Sequence, residues 1–191
     1  MPNLAYVTRS VYGAWRLARL DPGGMGFFEL SIPGFWRSFF AAVVVAPAYV
    51  VLVVLRFEHE TEVGPDLDLG PFFVLKLVAY AVTWAAFPLA MLVLARLLSL
   101  TAFYVPFIIA YNWSAVIQIA VFLPVALIEA SGLLPATLAG ILMMIATFAI
   151  LCYQWFVARV ALQTTGLIAA GLVAFDLLLG ILIDVGVTLS F

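Results

Sequence analysis

The sequence predicts an all-α membrane protein, with five transmembrane helices behind a short N-terminal interfacial helix. Three observations carry that expectation. Hydrophobic residues fill 67% of 191 positions and charged residues only 9%, against roughly 45–50% and 25% in soluble domains. Mean hydropathy is +1.25. A soluble domain of this size still leaves roughly 30% of its surface in water, so lipid is the solvent this composition demands. Finally, spanning takes about 20 mostly apolar residues, and such runs recur five times, at 35–55, 71–95, 103–128, 135–158 and 166–190. Residues 1–34 form a cytoplasmic interfacial segment and 35–191 the five-helix transmembrane domain.

In the first segment, SVYGAWRLARL (10–20) sets Val11, Trp15 and Ala18 on one helical face with Arg16 and Arg19 beside it. That is the pattern of a helix lying in the headgroup plane. DPGG (21–24) breaks it. The following MGFFELSIPGFW brings Phe27, Phe28, Phe35 and Trp36 near the same depth, where aromatic rings favour the interface. Trp15, Arg16, Arg19, Phe27, Phe28 and Trp36 are therefore candidate contacts to lipid or to a partner. Ser31 and Pro33 supply the capping oxygen and fixed φ of a helix start. The arginines of this region precede no short apolar stretch with a small-residue cleavage site, so it is expected to remain attached.

The breaks after each run are RFEHETEVGPDLDLG (56–70), SLT (99–101), EASGLL (129–134) and ALQTT (161–165). None has room for a soluble domain. Pro47, Pro88, Pro106 and Pro124 fall within the first three spans, where each removes a backbone donor and favours a kink. Orientation follows from Lys and Arg, which concentrate in cytoplasmic flanks. Arg9, Arg16, Arg19, Arg37, Arg96 and Arg159 share one side, against Arg56 on the other. The N-terminus is thus expected inside and the C-terminus outside.

Several function classes drop out. A net charge of −2 from few charges offers nucleic acid no basic patch. A lone cysteine, Cys152, excludes disulfides and Cys-based metal sites within one chain. GxSxG, HExxH, P-loop and CxxC patterns are absent, and the single histidine, His59, lies in the acidic 56–70 break, so no catalysis and no cofactor are expected. Glu58, His59, Glu60 and Glu62 could hold a divalent cation weakly, but consecutive positions converge poorly on one ion, so that break reads as a solvated acidic loop.

Polar groups inside the spans carry the remaining information. Asp184 lies roughly 9 Å from the outer end of its helix and Lys76 roughly 8 Å from the outer end of the second. An unpaired charge in hydrocarbon costs about 3 kcal/mol or more, so the two form a pair unless Lys76 snorkels to the headgroups. Asp176, roughly 15 Å in from either end, is too deep to snorkel. The third span offers Asn112, Ser114 and Gln118 over roughly 12 to 21 Å. Asp176 is then either protonated or an acceptor of bonds from this cluster, and both arrangements lock the fifth span onto the third. The competing reading makes Asp176, Asn112 and Gln118 a proton or cation site. Asp176, Gly180 and Asp184 are spaced i, i+4, i+8 and so point one way. A row of small residues, Gly166, Ala170 and Ala174, lets helices approach closely.

The five-span plan, the interfacial segment and the stretch ARVALQTTGLIAAGLVAFDLLLGILI (158–183) resemble bacterial members of the Yip family. These are five-helix proteins whose eukaryotic relatives contact Rab GTPases and organise vesicle membranes. PDLDLGPFF (65–73) is similar to the family's DLYGP element, but it lacks the tyrosine and precedes the second helix rather than the first. Seven arginines against one lysine suggest a bacterial source, where Rab partners would be absent. The expected protein is a non-catalytic component of the bacterial inner membrane, with its C-terminus periplasmic. It acts through membrane lipids, other integral membrane proteins or its own copies, as an accessory subunit of a larger complex or a membrane-organising factor. The alternative is a small transporter or ion- or proton-conducting oligomer using Asp176.

Overall fold

The computed structural model describes residues 2–63 and 69–188, with the side chains of 59–63, 69, 187 and 188 also left aside. Its described residues fold into helices only: α1 (Leu4–Ala18), a 3-10 turn (Pro22–Phe27), α2 (Ile32–Ser38), α3 (Phe40–Val63), α4 (Leu69–Leu97), a 3-10 turn (Thr101–Phe103), α5 (Tyr104–Ala130), α6 (Ala136–Ala161) and α7 (Gly166–Thr188). Among the described residues, five segments are long and apolar enough to cross a membrane: Ile32–Glu58, Gly70–Leu97, Thr101–Ala130, Ala136–Ala161 and Gly166–Gly186.

The ends of these helices have local causes. Asn3 caps α1 by accepting the Tyr6 N–H at 2.9 Å, and Ser31 caps α2 by accepting from Gly34, with proline in the first turn. Three helices close on a left-handed residue that is not glycine, at Leu20, Ser99 and Gln163, with φ of 59°, 59° and 49°. Each is followed by an N–H bonded to a carbonyl of the last turn: Asp21 to Arg16, Leu100 to Ala95 and Thr164 to Arg159. This is the Schellman closure, and Arg16, Arg96 and Arg159 in those last turns face the negative ends of the helix dipoles.

Helix α5 is the axis of the fold. Phe107, Ile108, Ile109, Ala110, Asn112, Trp113 and Ser114 are all buried, because α1, α2, α3 and α6 surround that stretch. Helix α7 packs on α4 and α6.

Four expectations change. The break at 56–70 is narrower: α3 continues to Val63 and α4 begins at Leu69, since Arg and Glu are good helix formers and extend the coil. The acidic-loop reading and the DLYGP-like element involve 64–68 and the side chains of His59, Glu60 and Glu62, outside the described residues. Pro106 stands in the first turn of α5, where its missing N–H has no helical partner to lose. The N-terminal helix runs from Leu4 rather than residue 10, and its inward face is Ser10, Gly13, Ala14 and Leu17, leaving Trp15 42% exposed. Small residues win that face because close approach needs them: a Cβ on Gly13 would stand 2.9 Å from the Gly24 carbonyl oxygen. Phe28, named with the interfacial aromatics, is buried, 5% exposed, and packs in the core cluster.

Candidate functional site

Both acids of α7 are bound by side chains of neighbouring helices. Tyr111 Oη donates to Asp176 Oδ1 at 2.9 Å, and Gln154 Nε2 donates to Asp176 Oδ2 at 3.3 Å. The same Gln154 amide lies 3.4 Å from Gln118 Oε1. Gln118 Nε2 in turn donates to Ser114 Oγ at 3.1 Å, and Ser114 Oγ donates to the Tyr111 carbonyl at 2.6 Å. Phe87 of α4 stacks on the Tyr111 ring at 4.4 Å between centroids and fixes its plane. The result is a polar chain that ties α5, α6 and α7 together.

Asp184 is held by two cations. Arg56 reaches it with both terminal nitrogens, Nη1 to Oδ1 at 3.2 Å and Nη2 to Oδ2 at 2.9 Å, the fork geometry that suits a carboxylate. Lys76 Nζ stands 3.2 Å from Oδ1. Lys76 is 4% exposed and lies 5.5 Å from the centre of the Phe72 ring. The sequence-derived pair Lys76 and Asp184 is thus brought together, and Arg56 is an added partner that its place beyond the first span concealed.

Between the two acids lies a cavity of about 300 Å³ walled by α3, α4, α5 and α7. Tyr111, Gln118 and Asp184 line it, as do Thr83, Trp84 and Gly180. Among the described residues, no heavy atom from elsewhere in the fold lies within 4 Å of where a Gly180 Cβ would be, so the glycine between the acids keeps that wall open. Donors are directed away from the space: Tyr49 Oη to the Lys76 carbonyl at 3.1 Å, Tyr80 Oη to the Ala42 carbonyl at 2.6 Å and Thr83 Oγ1 to the Ala79 carbonyl at 2.9 Å. A second space of about 10 Å³ lies on the Asp176 side, and Tyr111 lines both.

The expected amide cluster is rearranged. Asn112 does not meet Asp176; its Nδ2 donates to Ser38 Oγ of α2 at 2.8 Å, and its buried Oδ1 has no partner among the described residues. One residue step along a helix turns a side chain by about 100°, which sends Asn112 to α2 when Tyr111 faces α7. Ser114 and Gln118 reach Asp176 only through Tyr111 and Gln154. Those two direct ligands were missed: Tyr111 reads as an aromatic packing residue, and Gln154 stands on a helix that is apolar on all sides.

At the N-terminal end, Arg16 forms an ion pair with Asp21, which also accepts the Gly23 N–H at 2.9 Å. The Arg16 hydrogen bond, then that of Gly23, hold the Asp21 carboxyl below its ordinary value of 3.8. Phe27 packs edge-on to Tyr12 at 4.8 Å and under Arg16 at 5.1 Å. Arg19 covers the ring of Trp15 at 4.8 Å. Trp36 is 69% exposed. Tyr153 Oη, from α6, donates to the Ala14 carbonyl at 2.9 Å and pins α1 to the bundle. No family model, curated protein or solved structure matches this chain.

Proposed function

We propose that the chain is a non-catalytic integral membrane protein that acts through contacts with lipids or other membrane proteins. It serves as an accessory subunit of a larger complex or as a membrane-organising factor of the kind the Yip-like plan implies. The observation that carries this reading is the division of labour on α7. Asp176 and Asp184 are bound by side chains of the same protein, while Leu167, Leu178 and Leu182 are exposed. A surface with its charges occupied inside and hydrocarbon outside suits lipid and helix contacts. The exposed Trp15 and Trp36 beside Arg9, Arg19 and Arg37 suit a headgroup boundary on the cytoplasmic side. The setting is the bacterial inner membrane, with the N-terminus inside and the C-terminus periplasmic.

Photoreactive residues at Trp36 and at the exposed Met144, followed by native purification, test it. Discrete adducts with one protein or one lipid class support the role, and a single species free of either would defeat it. Conduction through Asp176 is the second reading, favoured by the cavity beside Tyr111. Ion flux in proteoliposomes that Asp176→Asn abolishes without unfolding would carry it instead.

A further inference from the structure

We propose that the cavity between α3, α4, α5 and α7 is a hydrated vestibule through which Asp176 takes up and releases a proton by way of the Tyr111 hydroxyl. Polar side chains and room are what a buried water needs, each water taking about 30 Å³. About 300 Å³ supplies the room, and the oxygens of Thr83, Gln118 and Asp184, whose lone pairs can accept from water even though the neighbouring donors point elsewhere, supply the polar partners. The Asp184 side chain, 45% exposed, marks the mouth. Tyr111 links the cavity to Asp176: it lines the space, and its hydroxyl is already on Asp176 Oδ1 at 2.9 Å.

Uptake needs no other group. Tyr111 Oη passes its proton to the Asp176 carboxylate as it receives one from a hydronium in the vestibule. One O–H bond forms at Oδ1, the phenol is restored and the hydronium becomes water; release is the reverse. From the packed helices, Tyr111 of α5 is the titratable group that faces Asp176, with the neutral Gln154 from α6 and Phe87 from α4. The charged cluster of Asp184, Lys76 and Arg56 lies two turns along, about 12 Å away. This adds a proton site to the contact role and depends neither on that role nor on net transport.

The test uses the full chain in lipid nanodiscs, with Cys152→Ser to remove the exposed native thiol and Ala115→Cys placed in the cavity wall. The first readout is labelling of the introduced thiol in the folded protein by a charged, membrane-impermeant reagent. The second is the infrared C=O stretch of a protonated carboxyl, followed from about pH 4 to about pH 9, which spans the tails of carboxylates in proteins. Asp176→Asn identifies the band. The expected result is labelling, a titrating band that Asp176→Asn removes, and proton exchange at that band slowed at least about tenfold once the reagent fills the vestibule. An unreactive thiol in the folded protein, a band that does not titrate, or exchange as fast after labelling as before would each overturn it. Labelling follows folding, so a misfolded variant cannot imitate the expected outcome.

Discussion

The Tyr111 hydroxyl donates to Asp176 Oδ1 at 2.9 Å and joins α5 to α7 across 65 positions of chain. Hydrogen bonds between helices in lipid are worth about 0.6 kcal/mol on average and at most about 1.7. Tyr111→Phe is therefore expected to lower unfolding free energy in mixed micelles by about 1 kcal/mol. Asp176→Ala removes the acceptor of the same bond and is expected to cost at least as much. The double variant should lose clearly less than the sum of the two, and additivity would show that the bond contributes nothing.

Lys76→Met removes one cation from Asp184 and leaves Arg56. A wholly buried pair broken on one side costs about 3–5 kcal/mol. Here the carboxylate side chain is 45% exposed, so the expected loss is about 1–2 kcal/mol after screening. Lys76→Met with Asp184→Asn should recover part of it. A Lys76→Met protein as stable as the parent would mean that the ammonium gains nothing from Asp184.

The Ser38–Asn112 contact is half satisfied: one 2.8 Å bond is made and Asn112 Oδ1 is left without a donor among the described residues. Ser38→Ala leaves the whole buried amide unpaired and is expected to cost about 1–3 kcal/mol. Asn112→Leu in that background replaces both partners with apolar groups and should restore parental stability or exceed it. Thermal unfolding of the three proteins decides, and a double variant less stable than Ser38→Ala would contradict it.

Asp21 sets a pH dependence at the α1 terminus. Its carboxyl is held below 3.8 by Arg16 and Gly23, so its contribution is complete above the unfolded value and is lost as pH falls through the lower folded value. The Gly23 amide resonance should shift across that acid range, with α1 loosening from the 3-10 turn. Asp21→Asn should remove the transition, and an unchanged midpoint would assign it elsewhere.

The five long apolar helices were legible because uninterrupted apolar runs of that length have few structural solutions. Lys76 and Asp184 were legible as a pair because rise per residue fixes depth. Rotation was not legible. Helices α4 to α7 are apolar nearly all round, so periodicity does not say which side faces inward, and the choice of Tyr111 and Gln154 over Asn112 as ligands of Asp176 is a choice of rotation. The turn at Gln163 carried no glycine signal, since its left-handed residue is a glutamine. In α1 the Val11–Trp15–Ala18 face was legible as an outer one, but the inner face was not, because close approach to the 3-10 turn selects Gly13 and Ala14 there.

A nitroxide scan of α7 tests most directly whether its acids are sheltered by protein. Single cysteines from 167 to 185 in a Cys152→Ser background would be spin-labelled, and their collisions with lipid-dissolved oxygen measured. Accessibility is expected to peak at Leu167, Leu178 and Leu182, which are exposed, and to fall at Ala169, Leu172 and Asp176, which face the bundle. The same period with its phase reversed, so that position 176 is among the most accessible, would contradict the account.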